Sequence, residues 1–403
     1  MRVAIVHEWL QRYAGSERVL EELLTCFPDA DLFAVVDFMP ASERGFLKRR
    51  TVQTTFIQRV PLARKLFRSY LPLMPIAVEQ FDMRPYDLVI SSSHAVAKGV
   101  ITGPNQVHVS YVHSPMRYAW DMQSQYLKHA RLERGLRSVC ARVALHKMRL
   151  WDVRTAHGVD MFIANSSYIA ARIRKVYGRN ARVVHPPVDI ESFVPGIERS
   201  DEYLTAARLV PYKRVDLVAA AFARMPAKKL LIVGDGPERE AVREAAGGAP
   251  NIRFQPTLEK SDLVRVMQRA RGFVFAAEED FGITMVEALA CGTPVIAFGR
   301  GGARDIVEDG TTGVLFEPQT SEAIMVAVQR FEHMAPAIQP ELCIQSAGRF
   351  GATTFRQQII DAIDEALRKF SSLPFYLREP RWAEGEDRAH QPESRASVMA
   401  AAS

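Results

Sequence analysis

The chain has 403 residues, 48% hydrophobic and 24% charged, with a formal net charge of +6. That length exceeds one ordinary domain, and the composition sets aside disordered, fibrous and disulfide-stapled classes. No apolar run reaches the roughly 18 residues needed to span a bilayer, and the 4 scattered cysteines form no CxxC pair, so they read as reduced thiols of a cytoplasmic protein.

The charge is uneven. Through Gly196 there are 27 Lys+Arg against 17 Asp+Glu, net +10; beyond it there are 25 against 29, net −4. Anionic surfaces or substrates are therefore expected to meet the first half.

Met1-Arg2-Val3-Ala4-Ile5-Val6 enters a strand at once, unlike a signal peptide. Short β-branched runs then alternate with helical patterns. Strands are expected at Val3–Val6, Leu32–Val36, Leu88–Ser92, His108–His113, Met161–Ala164, Tyr203–Ala206, Leu230–Val233, Phe273–Ala276 and Val295–Phe298. The alternation predicts an α/β fold, with parallel sheets covered by helices on both faces. Two series appear. Residues 1–188 form the first domain, 189–202 a Pro-containing polar linker and 203–355 the second domain. A C-terminal helix at 356–372 is expected to return toward the first, and 373–403 to be a flexible, Ala/Ser-rich tail.

Five segments carry polar groups where a ligand would sit. The loop Gln11–Arg18, with Gly15, precedes a helix expected at Val19–Cys26; its amides suit an anion, although a plain turn would look the same. Ser110–Asp121 brings His113 from a strand into a loop holding Arg117, Tyr118, Trp120 and Asp121. There His113 serves either a hydroxyl ligand or the interior. Arg208 is expected to close a strand, with Lys213 five residues on, where two cations would neutralise a diphosphate or simply face solvent. Gly234-Asp235-Gly236-Pro237 reads as a close-approach turn, with Pro237 in the first turn of a helix.

The richest segment is Glu279-Asp280-Phe281-Gly282-Ile283-Thr284-Met285-Val286-Glu287. Glu279 is expected to close a strand and Glu287 to lie inside a helix. The amides of Ile283, Thr284 and Met285 should point at a ligand from its unpaired first turn. Asp29-Ala30-Asp31 has the spacing of a metal-binding DxD but reads as a turn, and no His/Cys cluster has zinc spacing.

Together these segments resemble the retaining GT-B glycosyltransferases of family 4. The Glu279…Glu287 segment, Arg208…Lys213, Gly234–Pro237 and Gly310-Thr311-Thr312-Gly313 follow that family's order and spacing. His7-Glu8-Trp9-Leu10, Leu73-Met74-Pro75, Tyr86–Gly99 and His113–Asp121 further resemble GDP-mannose-using mannosyltransferases of bacterial O-antigen and exopolysaccharide assembly. The resemblance implies two Rossmann-like doubly wound domains facing a central cleft. It assigns Glu279 to the donor sugar, Glu287 to the ribose, Arg208 and Lys213 to the leaving diphosphate, and Gly15 to that diphosphate from the other domain. His113 would contact the sugar's outer hydroxyls, and the amides of Phe281, Gly282, Ile283 and Thr284 the sugar and phosphate. No metal or other cofactor is implied beyond the nucleotide sugar, because Arg and Lys supply the charge. Ala14, Glu8 and Asp305 depart from the family's usual Gly, Asp and Glu.

The implied acceptor is a polyprenyl-diphosphate-linked glycan. Leu62, Leu66 and Tyr70 recur at helical spacing beside Arg64, Lys65 and Arg68, as do Leu132, Leu136, Val139 and Val143 beside Arg131, Arg134, Arg137 and Arg142. Such faces suit either an anionic membrane or a core with a charged rim. No motif for nucleic acid interleaves the positive charge with a stacking platform. The same fold with a UDP-glucose or UDP-galactose donor, or a non-catalytic nucleotide-sugar-binding subunit, remains as an alternative.

Overall fold

The computed structural model describes residues 1–196 and 198–372; the expected tail at 373–403 lies outside them. Strands β1 (Val3–Leu10), β2 (Asp31–Asp37), β3 (Val52–Thr54), β4 (Leu88–Ser93), β5 (Val107–Val112), β6 (Met161–Ala164) and β7 (Ala181–Val183) form one sheet, in the order β3-β2-β1-β4-β5-β6-β7. Strands β8 (Glu202–Ala206), β9 (Lys229–Val233), β10 (Ile252–Gln255), β11 (Phe273–Phe275), β12 (Val295–Phe298) and β13 (Gly313–Phe316) form a second, in the order β10-β9-β8-β11-β12-β13. The pairings are parallel; Ala4, for example, lies opposite Asp31 of β2 and Val89 of β4. Parallel strands need helical crossovers, which bury both faces of the sheet.

The helix Gly15–Cys26 buries Val19, Leu20, Leu23 and Leu24 in the same apolar cluster as Ile5, Ile90 and Val109 of the first sheet. The helix Ala352–Ser371 sends Phe355, Ile359, Ala362, Ile363 and Ala366 into that cluster. Their spacing puts them on one helical stripe. Arg356 bonds Glu22 at 2.7 Å, and Arg182 bonds Glu365 at 3.1 Å, so the returning helix is fastened beside its apolar contact. Val188 and Gly351 pair as an isolated parallel bridge where the chain passes between the two sheets.

Several local expectations need correction. Strand β1 runs on to Leu10, because the fully buried His7 and Glu8 interrupt an apolar run without ending the strand. The first helix starts at Gly15, not Val19: the Glu17 carboxylate takes the Ala14 N–H at 3.0 Å and so fixes the first turn. Strands β8 and β11 stop at Ala206 and Phe275, which leaves Arg208 and Glu279 on the loops beyond rather than at strand ends. Pro237 sits in the turn ahead of the helix Arg239–Ala246. Strands β3, β7 and β10 escape sequence reading because they are short and carry Gln or Arg, and β13 because it opens on Gly313.

In each sheet the strand order reverses once, between β1 and β4 and between β8 and β11. Ligand crevices in open α/β sheets form at such points, beyond the carboxyl ends of the strands. The loops after β1 and β4, and after β8 and β11, are therefore where chemistry is to be sought.

Candidate active site

The loops after β8 and β11 bring Lys213 and Glu279 into direct ion-pair contact, both largely buried. Lys213 Nζ also lies 5.5 Å from the Phe275 ring and 5.6 Å from the Tyr212 ring. A cation walled by aromatic faces is held in place with few competing waters. Arg208 is exposed on the same loop and has no ion-pair partner among the described residues. One predicted cation is thus committed to a predicted carboxylate and the other is open.

Glu279 is fixed from behind. Its carbonyl accepts the Gly302 N–H at 2.8 Å, and it bridges Gly301. A Cβ at Gly301 would stand 2.2 Å from the Glu279 carbonyl oxygen, and one at Gly302 would stand 2.3 Å from that of Phe281. The Gly-rich turn is thus the seat on which 279–281 rests. Gly234 and Gly236 have the same use: added Cβ atoms would meet the carbonyls of Ala207 and Leu209 at 1.9 and 2.2 Å. Their demand for glycine comes from the neighbouring loop's backbone.

Gly282, at φ +103°, turns the chain into the helix Ile283–Ala290. The Met285 N–H is taken by the Gly282 carbonyl at 3.0 Å, so the expectation of a ligand-facing amide fails there. Those of Ile283 and Thr284 have no acceptor among the described residues. The Phe281 side chain is buried in the second domain's core. Gly15 meets this helix end from the first domain: a Cβ on it would lie 3.1 Å from Ile283 Cδ1. Glu287 projects one turn further on, and Arg18 reaches it across the cleft at 3.4 Å. Burial pushes the Glu287 carboxyl up from its ordinary range, opposed by Arg18.

The loop after β5 is tied to the same place. Asp280 faces Arg117 and Arg172, each at 3.4 Å. Burial pushes its carboxyl up, against the pull of the two guanidiniums. Arg172 also contacts Asp121 and bonds Ser114 Oγ at 2.9 Å. His113 Nε2 lies 2.9 Å from Ser92 Oγ. Two of the predicted loop residues turn inward. Trp120 Nε1 donates to buried Asp152 at 2.8 Å, and the Tyr118 hydroxyl is sealed without a partner among the described residues. Their polar atoms are not presented to a cleft ligand, which corrects the expectation for both.

Arg18, Arg172 and Asp280 were not singled out by sequence reasoning. Arg18 lies in the first turn after Gly15, and Asp280 adjoins Glu279, so proximity to the named motifs was the available signal. Arg172 lies far along the chain from Asp121 and Asp280, and only folding joins them. Asp31 of the DxD-like triplet opens β2 and accepts from Tyr86 Oη at 2.7 Å. Among the described residues no three His, Cys, Asp or Glu side chains converge as a metal-binding group. A cavity of about 690 Å³ lined by Arg18, Asp189 and Lys260 is bounded by none of Lys213, Glu279 or His113, so its size does not mark the chemistry.

Two doubly wound sheets, with facing loops at both reversal points, define the GT-B class. Residues 13–192 match the family model Glycosyltransferase Family 4, and residues 188–347 match Glycosyl transferases group 1. The D-inositol 3-phosphate glycosyltransferase of Mycobacterium marinum is 29% identical over 234 residues, 52% of this chain and 50% of that protein. Its Mycobacterium bovis counterpart is 29% identical over 235 residues, 52% and 48% of the two chains. The chain spans about half the length of the curated relatives it matches. Among solved structures, Anabaena HepE in complex with UDP superposes with a TM-score of 0.65 at 18% identity, covering 91% of this chain and 100% of that one. Sucrose-phosphate synthase from Thermosynechococcus elongatus gives 0.66 at 19%, again with 91% and 100% covered. The chain belongs to the family 4 glycosyltransferases, with the GT-B fold.

Proposed function

We propose that the protein moves a mannosyl group from GDP-mannose to a polyprenyl-diphosphate-linked glycan, with retention at the anomeric carbon, in bacterial surface-polysaccharide synthesis. The observation that carries the transferase reading is the Lys213–Glu279 pair beside the open amides of Ile283 and Thr284. When the donor enters, Lys213 transfers its charge from Glu279 to the diphosphate, and Glu279 is released to the sugar hydroxyls. Arg208 adds the second cation, and Glu287 takes the ribose hydroxyls.

The bond from the anomeric carbon to the phosphate oxygen breaks, and its electron pair stays on the diphosphate. The acceptor oxygen bonds the same face of that carbon and gives its proton to the departing phosphate. Lys213, Arg208 and the helix terminus stabilise the charge that builds on the leaving group. Contact between the domains excludes water from the activated sugar.

The choice of mannose rests on the resemblance carried by His113–Asp121. A UDP-glucose or UDP-galactose donor is the second reading, favoured by two structural neighbours: Anabaena HepE solved with UDP-glucose and the lipopolysaccharide outer core galactosyltransferase WaaB. A donor screen by mass spectrometry separates them. Transfer from GDP-mannose alone is expected; transfer from UDP-hexoses alone turns the assignment to the second reading. Binding without transfer from any donor would leave a non-catalytic nucleotide-sugar-binding subunit.

The lipid-linked acceptor is supported by the surface of the first domain. Leu62 and Leu66 are 67% and 42% exposed, next to the exposed Arg64 and Lys65. Along the helix Leu136–Ala156, Leu136, Val139 and Val143 are exposed beside Arg137 and Arg142. Apolar side chains ringed by cations suit an anionic interface. Among the described residues no helix is long and apolar enough to cross a membrane. We place the enzyme on the cytoplasmic membrane's inner face. Flotation with anionic vesicles at low salt is expected, and its absence would point to a soluble acceptor.

A further inference from the structure

His113 is the end of a chain of side chains that begins at the other ligand loop. Glu17, in the first turn of Gly15–Cys26, accepts the Ala14 N–H at 3.0 Å and the Ser16 hydroxyl at 2.9 Å. Its other carboxylate oxygen lies 3.5 Å from His7 Nε2. His7 Nδ1 lies 3.1 Å from Ser92 Oγ, and Ser92 Oγ lies 2.9 Å from His113 Nε2. His7 and Ser92 face each other in register on β1 and β4, and both are fully buried. No bulk water can supply missing partners there, so each must come from the chain itself.

The direction of the protons follows from the carboxylate. Burial opposes its charge, but the His7 and Ser16 contacts and backbone bonding hold Glu17 below its ordinary range, so it only accepts. A bare Nε2 would set lone pair against lone pair, so a His7 ring with a single proton carries it on Nε2 and leaves Nδ1 as an acceptor. Ser92 then donates to His7 Nδ1, and its remaining lone pair accepts from His113 Nε2–H. We infer that Glu17, His7 and Ser92 are positioning residues that hold His113 in its Nε2–H tautomer, offering bare Nδ1 as an acceptor for a sugar hydroxyl. That ligand rests on the functional reading above; the tautomer does not.

His113 Nδ1 has no partner among the described residues and, unlike the Tyr118 hydroxyl, is not among the atoms sealed without one. Burial keeps the ring well below the ordinary imidazole range and therefore neutral. The same Glu17 orders the Ala14–Gly15 turn, so one carboxylate sets both the diphosphate loop and the hydroxyl acceptor.

The test is two-bond ¹H–¹⁵N correlation of labelled histidines at about pH 8, above the ordinary imidazole range, with His113→Gln assigning the signal. The native protein should show His113 protonated on Nε2. In Glu17→Gln the amide keeps the first-turn bond but donates to His7, which reverses the chain and moves the His113 proton to Nδ1. In Ser92→Ala the link is cut and both tautomers should be populated. Where transfer is measurable, both variants should lose about tenfold in kcat, the scale of one hydrogen bond, with donor KM little changed. A native His113 protonated on Nδ1, or one tautomer unchanged in both variants, overturns the inference. The native spectrum decides even if the variants fail to fold. A correct tautomer in a protein that transfers no sugar would overturn the functional reading alone.

Discussion

The two halves of the molecule bury different things. The second domain has an almost wholly apolar interior, with Thr205, Glu287, Thr293, Thr312 and Ser346 its buried polar residues. The first domain buries His7, Glu8, Ser91, Ser92, Ser93, Lys98, His108, Asp152 and Arg172, among others. These groups are bonded to one another. Glu8 takes the Ser93 hydroxyl and the amides of His94, Ala95, Val96 and Ala97, all at 3.0 Å or less. Lys98 meets Asp152 at 2.6 Å, and Asp152 also receives Tyr177 and Trp120. The second domain positions its ligand groups with glycine turns and a helix end. The first positions its loops by polar side chains reaching out of the sheet. A polar interior specifies one arrangement sharply but tolerates loss of a partner badly.

The largest expected effect tests that difference directly. Lys98→Met leaves the fully buried Asp152 carboxylate without its cation. Removing one partner of a buried pair typically destabilises by about 3–5 kcal/mol. Urea unfolding followed by tryptophan fluorescence should show that loss, with Trp120 reporting because it shares Asp152. A loss under about 1 kcal/mol, the scale of exposed pairs, would mean that the first domain's polar core is no more demanding than its surface.

On the second domain's side, Lys213→Ala or Glu279→Ala should change the chemistry far more than the fold. Their pair is at the cleft and retains some solvent contact. Loss of a charge-stabilising group should lower kcat by at least about 100-fold, while thermal melting changes little. Near-native turnover by either purified variant would remove that residue from the proposed mechanism.

The same contrast governed what could be read from the sequence. Glu279, Gly282, Ile283 and Glu287 lie within one short segment, so their spacing alone put a turn and a helix end between two carboxylates. The seat that Gly301 and Gly302 form for Glu279 was not legible, because it needs the approach of a distant backbone. In the first domain His113 was noticed, but Ser92 and His7, on two other strands, were not assigned with it. Trp120 was grouped with the ligand loop because it lies beside His113 in sequence, whereas its N–H answers a buried carboxylate. The missed strands β3, β7 and β10 share one cause: each lies at a sheet edge, where polar residues are tolerated. Contiguous motifs survive in one dimension, and networks assembled across strands do not.

Acid should separate the halves as well. Burial, with Lys98 nearby, lowers the His108 ring to about 4, against a bond from the ring to the Gly158 carbonyl. An unfolded histidine takes up its proton near 6.5. The folded value lies below the unfolded one, so the stability it contributes is complete above about pH 6.5 and is lost as pH falls toward 4. Between pH 7 and pH 5 this amounts to about 2 kcal/mol. His108→Gln should flatten that part of the pH–stability curve. An unchanged slope would show that other groups carry the acid sensitivity. In the second domain, hydrogen bonds from Tyr203, Arg271 and Lys228 outweigh burial and bring Glu332 to about 2. Its contribution is therefore present above about pH 4.3 and lost only as pH falls toward 2.

The smallest effect is expected where the halves meet. Arg18 belongs to the first domain and Glu287 to the second, and their 3.4 Å contact joins the helix behind Gly15 to the carboxylate assigned to the ribose. The guanidinium favours the charged form of Glu287 against burial. In Arg18→Ala the Glu287 carboxyl should rise further, so it protonates earlier as pH falls and accepts ribose hydroxyls less well. Donor KM at pH 7 should increase about tenfold, the scale of one charge-assisted hydrogen bond, with kcat changed less. The acid limb of the KM–pH profile should move to higher pH, and Arg18→Lys should restore part of both. A shift of the acid limb ties the loss to the carboxylate's charge, because a loosened domain contact alone would raise KM equally at every pH. If KM and its pH profile stay native, Arg18 is only a strut between domains, and the ribose assignment of Glu287 loses its electrostatic support.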